Sequence, residues 1–170
     1  MGQEMKRCGI LRRDLIIAPP LEAALILIVA LAGWLAHTPL IFASLGPTAF
    51  EMIETPDRPT ARPYNIIAGN LIAVLAGFAA LWLTHAWRAP IVSSSSVPLP
   101  RVWAAALASM LTAFGTLLLR AIQPAALATT LLISLGFMQT WRDGAVIMIA
   151  VVAMTAIGEP IRYWRLKCTR

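Results

Sequence analysis

The chain has 170 residues, 59% of them hydrophobic and 13% charged, whereas soluble proteins run at about 45–50% and about 25%. Mean hydropathy is +0.75, and the apolar residues come in continuous runs instead of amphipathic stripes, which places the chain in a bilayer. A soluble enzyme, a disordered chain, a disulfide-stapled secreted fold and a separate soluble domain are excluded, since no polar stretch is long enough to bury a core.

The formal charge of +6 is carried at the two ends. Lys6, Arg7, Arg12 and Arg13 open the chain, and Arg162, Arg165, Lys167 and Arg170 close it. Basic flanks on apolar runs are topology markers, so no nucleic-acid partner is expected and both termini are placed in the cytoplasm. Cys8 and Cys168 lie at opposite ends and read as two reduced thiols, with neither metal-ligand nor redox spacing.

In chain order, a basic segment of residues 1–20 precedes an apolar run over residues 21–41. A signal peptide is disfavoured, because the residues after Leu31 make a poor cleavage site, and an uncleaved anchor is expected. A short segment over 42–53 is interrupted by Gly46-Pro47, a polar connector spans 54–63, and a long segment follows over 64–87. A Ser/Pro-rich linker at 93–101 leads into a second half built alike: a long segment at 102–119, a Pro-led one at 123–138, and a third at 144–161. The four longer segments approach the ~20 residues needed to cross a bilayer, and the two short ones fall below it.

The halves superpose at an offset of 81, with Thr48 falling on Thr129. The expected fold is therefore all-α integral membrane, with four long transmembrane helices, two short Gly/Pro-interrupted helices and an internal two-fold repeat. Residues 21–92 form the first membrane repeat, residues 102–162 the second, and residues 163–170 a basic cytoplasmic tail. Six crossings place eleven Lys and Arg inside and three outside, and four crossings place ten and four, so charge does not choose between them.

Short Gly/Pro-interrupted segments at matching places in two halves point to a midplane binding site. In Ser44-Leu45-Gly46-Pro47-Thr48 the missing Pro47 N–H frees a carbonyl, and a helix restarting at Pro47 turns its positive end toward the break. Such an end binds anions without a cationic side chain. Gln123-Pro124 offers a second helix start, followed by Thr129 and Thr130. The competing reading of both features is a packing kink with Ser and Thr bonded to their own backbone. Charges inside or bordering the segments are Glu22, Glu51, Arg120 and Glu159, with His37 and His85 as titratable candidates. Arg120 is either a boundary anchor or a cation aimed at the break. Asn70 has no exit to water and needs a partner inside the bundle. Signals of a phosphate loop, a metal site or a catalytic triad are lacking, so neither an enzyme nor a cofactor is expected.

The stretch Arg120-Ala121-Ile122-Gln123-Pro124-Ala125-Ala126-Leu127-Ala128-Thr129-Thr130 resembles the signature of the HPP family of integral membrane proteins, typically Arg-x-x-His-Pro-Pro-Ala-Gly-Ala-Thr-Ala. Ser44 to Ala49 is similar to that family's Pro-x-Gly-Ala-Ser-Ala segment, and Arg62 to Asn70, which includes Asn65, to its Pro-Arg-Asn-Val-Ile-Gly-Gly-His segment. The resemblance implies a small protein of about four spanning helices and, from plastid and cyanobacterial relatives, nitrite transport. The signature His is Gln123 here, and the His closing the second of these stretches is Asn70. With both imidazoles replaced by amides, transport is expected to vary little between about pH 6 and 8.

The expected function is a channel or secondary transporter for a small inorganic anion, nitrite or nitrate. Its ligands would come from Ser44, Gly46, Pro47, Thr48, Asn65, Asn70, Arg120, Gln123, Pro124, Thr129 and Thr130. The alternative is a non-transporting scaffold or complex subunit, and a third reading is a carrier of an organic solute. Expected surroundings are the lipid bilayer of a bacterial inner membrane, and expected partners are a small anion and further copies of the chain.

Overall fold

A computed structural model describes the backbone of residues 2–93 and 96–169 and the side chains of residues 16–93 and 96–167. The expectations for Lys6, Arg7, Cys8, Arg12, Arg13, Cys168 and Arg170 lie outside the described side chains. Six α-helices carry the chain: α1 (Gly2–Leu35), α2 (Leu45–Glu54), α3 (Pro63–Leu83), α4 (Leu99–Leu118), α5 (Pro124–Ser134) and α6 (Trp141–Thr169). Short 3-10 turns stand at Pro59–Ala61 and Ala86–Arg88, and the described residues contain no strand beyond one bridge between Ser93 and Ser96. Four stretches are long and apolar enough to cross a bilayer: Ile16–Leu35, Pro63–Leu83, Leu99–Leu118 and Trp141–Lys167. At 10 and 11 residues, α2 and α5 are about 15 and about 17 Å long, roughly half of the ~30 Å hydrocarbon core.

Several boundaries differ from the sequence reading for local reasons. α1 runs continuously from Gly2 to Leu35 with Pro19 and Pro20 inside it, and its apolar stretch begins at Ile16. α2 starts at Leu45, not at Pro47, so Pro47 sits in its first turn. α4 starts at Leu99 inside the expected linker, and α5 stops at Ser134. The helix ends share one device. At the end of α1, Thr38 N–H bonds to Gly33 O at 2.9 Å and His37 N–H to Trp34 O at 3.2 Å. At the end of α4, Ala121 N–H bonds to Thr116 O at 2.8 Å and Arg120 N–H to Leu117 O at 3.2 Å. These crossed bonds are Schellman caps, which need a left-handed residue just past the helix. His37 (φ 49°) and Arg120 (φ 51°) supply it, and α5 ends the same way on Gly136 (φ 98°).

The helices exchange partners between halves. α3 packs on α4 and α5, whereas α6 packs on α1 and α2. Two close contacts make this possible. A Cβ on Gly77 of α3 would stand 2.9 Å from Ile133 Cγ2 of α5, and one on Gly158 of α6 would stand 2.7 Å from Met52 Cε of α2. Gly77 and Gly158 are 81 residues apart, as are Met52 and Ile133.

Neighbouring contacts also give direction. Tyr64 reaches Leu119 and Ile72 lies under Gly115, so α3 and α4 are antiparallel. Gly69 meets Gln123 and Gly77 meets Ile133, so α3 and α5 run together. Gly144 and Trp141 pack on Phe78, which sets α6 against α3. At the other end of α6, Arg162 Nη1 donates to Pro56 O at 2.8 Å and Arg165 Nε to Ile53 O at 3.1 Å, holding the carboxyl end of α2. The carboxyl end of α5 lies at the opposite end of the bundle. There the buried Arg101 joins it to the α3–α4 connection, with bonds to Ser134 O, Ala89 O, Pro90 O and Gln139 Oε1. The two short helices thus start in the middle and run to opposite ends.

Burial is inverted relative to a soluble domain. Trp34, Trp82, Trp103, Phe114 and Leu118 are exposed, while Ser44, Thr48, Asn70, Thr112, Thr129 and Thr130 are buried. In lipid this is the low-energy arrangement, because hydrocarbon offers polar groups no partner and apolar side chains no penalty.

Candidate functional site

The site begins with the turn that brings the chain back from α1. The cap on His37 reverses it, and residues 36–44 return to Ser44, the N-cap of α2. Pro47 has no N–H to offer the Ala43 carbonyl. Thr48 closes the first turn instead, its N–H at 3.3 Å and its hydroxyl at 2.8 Å from Ser44 O. In the second half the cap on Arg120 turns the chain into Gln123, which is extended (φ −144°, ψ 106°), and Pro124 opens α5 with the φ a helix needs.

Thr129, one turn into α5, joins the halves. Its Oγ1 lies 2.8 Å from Ser44 Oγ and 2.6 Å from Asn70 Oδ1. Asn70 Nδ2 donates to Ile66 O at 2.9 Å, which fixes the amide so that Oδ1 faces Thr129. Thr129 directs its hydroxyl at both Asn70 Oδ1 and Ser44 Oγ, which share its one proton, and Ser44 keeps a proton of its own. All three residues are at most 1% exposed. Asn70 therefore has the partner that burial demands, and it is in the other half of the chain.

The other expected residues divide. Gln123 is buried against Gly69, where a Cβ would stand 2.8 Å from Gln123 Cβ and 3.1 Å from Ala121 O. Nε2 and Oε1 of Gln123 are buried without a hydrogen bond. Beside Gly46 the space is open, with nothing within 4 Å of the place a Cβ would take. Thr130 turns to α4, accepting from Thr112 at 2.7 Å and donating to Ala126 O at 3.0 Å, which is packing between helices. Asn65 Nδ2 donates to Pro59 O at 2.8 Å and holds the α2–α3 connector. Arg120 is exposed and shares none of these bonds; its place is the left-handed residue that ends α4.

Two residues outside the expected set lie at its edge. Glu51 of α2 faces Thr60 and Gln123 closely enough for both to act on its carboxyl, although Glu51 Oε2 and Thr60 Oγ1 are buried without a bond of good geometry. Glu51 lies seven residues after Ser44 and three after Thr48, about the helical repeat. Thr60, in a polar connector, left no comparable signal. Among the described residues no three His, Cys, Asp or Glu side chains gather to hold a metal ion.

The three stretches that carry the family resemblance therefore converge, Ser44 coming from the first, Asn70 from the second and Thr129 from the third. A model of this family, described as HPP, transmembrane region, matches residues 16–162. The chain belongs to the HPP family. No curated protein and no solved structure matches it. In this HPP protein the residue standing where the family signature reads His is Gln123, packed between Gly69 and the Glu51 carboxyl.

Proposed function

We propose that this HPP protein moves a small inorganic anion, nitrite or nitrate, through the middle of its helix bundle as a channel or secondary transporter. The observation that carries the reading is the meeting of two half-length helices. α2 and α5 start in the bundle interior and run past each other to opposite ends, with Ser44 at the start of α2 against Thr129 inside α5 and Gln123 at the start of α5 against Glu51, so two positive dipole ends flank one buried polar seam. An anion in this seam meets the Ser44 and Thr129 hydroxyls, with the amide of Gly46 beside open space. Hydrogen bonds and helix ends supply the attraction without a buried cation. The Ser44–Thr129 bond closes this place in the structure described, and Ser44, the acceptor in it, has its own hydroxyl proton to give to an anion.

The exchange of helices between halves, with Gly77–Ile133 and Gly158–Met52 at one offset, supports an inverted repeat of three helices each. Such repeats carry alternating access by rocking one unit against the other. Both ends of the chain lie in the cytoplasm of a bacterial cell in this reading, and copies of the chain associate in the inner membrane.

Reconstituted vesicles test it. With the full chain present, an imposed nitrate or nitrite gradient should drive saturable uptake that Thr129→Val reduces at least about tenfold, the loss of roughly 1.4 kcal/mol of binding or barrier. Uptake equal to that of empty vesicles would overturn the reading in favour of a scaffold.

A further inference from the structure

Four buried polar atoms without a hydrogen bond come from three elements: Glu51 Oε2 on α2, Thr60 Oγ1 in the 3-10 turn, and Nε2 and Oε1 of Gln123 at the start of α5. Thr60 and Gln123 both act on the Glu51 carboxyl, so the atoms belong to one cluster. Buried polar groups are otherwise satisfied throughout the neighbouring Ser44–Thr129–Asn70 network, which makes this cluster the exception to explain. Packing alone gives no reason for it, since an apolar residue at any of the three positions would avoid the loss of hydration.

We propose that Glu51, Thr60 and Gln123 form a proton-binding site, and that the proton binds together with the transported anion. The chemistry of the three groups matches one exchangeable proton. Protonated Glu51 becomes a donor, and either Gln123 Oε1 or Thr60 Oγ1 can accept its one proton. Ionised Glu51 instead places a negative charge beside the amino end of α5, where it competes with an anion for the same positive dipole. Each ligand therefore favours the other. The proton is taken from water at the end of the bundle where the α2–α3 connector lies, and is returned to water with the anion.

From the connector, Arg58 pulls Glu51 toward the ionised form. On α6, Arg162 is held by Glu159 and Pro56 O, and Arg165 by Ile53 O. On α1, Glu22 faces Glu54, one turn beyond Glu51. α5 carries no titratable side chain. Glu51 lies outside the four spanning stretches, and burial raises its carboxyl above the ordinary carboxylate range, against the opposing pull of Thr60, Gln123 and Arg58. The folded protein thus keeps this proton at a pH where an exposed Glu has released it.

The proton site stands on the cluster itself, and its coupling rests on the anion reading above, so the test has two arms. Infrared spectra of the reconstituted full chain, recorded as a pH titration, should show a protonated-carboxyl band that vanishes in Glu51→Gln and shifts in Glu51→Asp. In vesicles holding a pH-sensitive dye, an inward nitrate gradient should acidify the interior, and Glu51→Gln should abolish that acidification. Wild-type nitrate flux should fall about tenfold per pH unit above the titration point of the band. A titrating Glu51 band without nitrate flux keeps the proton site and sinks the anion reading alone. No such band in the wild type, or its survival in Glu51→Gln, overturns the site. Nitrate flux without acidification, at any pH, overturns the coupling.

Discussion

A single hydroxyl, Thr129, joins groups from three segments of the chain, and its removal shows what that junction contributes. Thr129→Val keeps the shape but leaves Asn70 Oδ1 and Ser44 Oγ without their donor. A buried group so orphaned costs about 1–3 kcal/mol. Thr129→Val should lower the thermal midpoint of the detergent-solubilised protein, and Thr129→Ser should keep most of it; equal midpoints for Val and Thr would place the network at the surface of the energetics. The charge on Arg120 is tested separately from its backbone. Arg120→Asn tolerates the left-handed turn (φ 51°) and removes the charge, so expression and nitrate flux should match wild type. Arg120→Val puts a β-branched residue at positive φ and should cost about 1–2 kcal/mol. A tenfold loss of flux in Arg120→Asn would return Arg120 to the anion ligands.

At the scale of elements, the half-helices are held by the long helices of the opposite half, and the contact in each case is a glycine. Gly77→Ala would press on Ile133 Cγ2, a branched side chain with a stiff first torsion, whereas Gly158→Ala would press on the terminal methyl of Met52. Methionine gives way more easily. Gly77→Ala should therefore destabilise by about 1–3 kcal/mol and Gly158→Ala by less than about 1 kcal/mol, read from thermal unfolding. Adding Ile133→Val to Gly77→Ala should restore part of the loss. The reverse order of the two alanine variants would mean that the glycines serve something other than close approach. The buried Arg101 does for α5 what Arg162 and Arg165 do for α2: each guanidinium takes backbone carbonyls near the carboxyl end of a half-helix, where a cation is favoured.

For the whole molecule, the described helices bring the start of α1 and the end of α6 to the same end of the bundle, since Glu22 lies beside Glu54 and Arg165 holds Ile53. Basic residues crowd that end, which should face the cytoplasm. A membrane-impermeant thiol reagent should then leave Cys8 and Cys168 unlabelled in intact cells and label both after permeabilisation. Labelling of either thiol in sealed cells would invert the orientation. An open, largely apolar cleft lined by Leu75, Phe78, Trp82, Trp87 and Trp141 lies toward the carboxyl end of α3, away from the polar cluster.

Hydrophobic length alone determined the membrane class, the four spans and the two segments too short to cross, because burying a backbone in lipid leaves few alternatives to a helix. The Gly/Pro breaks marked where the short helices begin to within a few residues, and the ordered motifs marked the family. Asn70 announced that it needed a partner, but not which one, since the partner is 59 residues away in the other half. The backbone place of Arg120 was equally hidden: a charge beside a break carries no sign that its residue ends a helix in the left-handed conformation. Glu51 was visible as a charge inside or bordering a short segment, yet its meeting with Thr60 and Gln123 depends on α2 and α5 crossing between halves. Periodicity reports which face of a helix is apolar; it carries nothing about which helix will lie against that face, and the site is made of those choices.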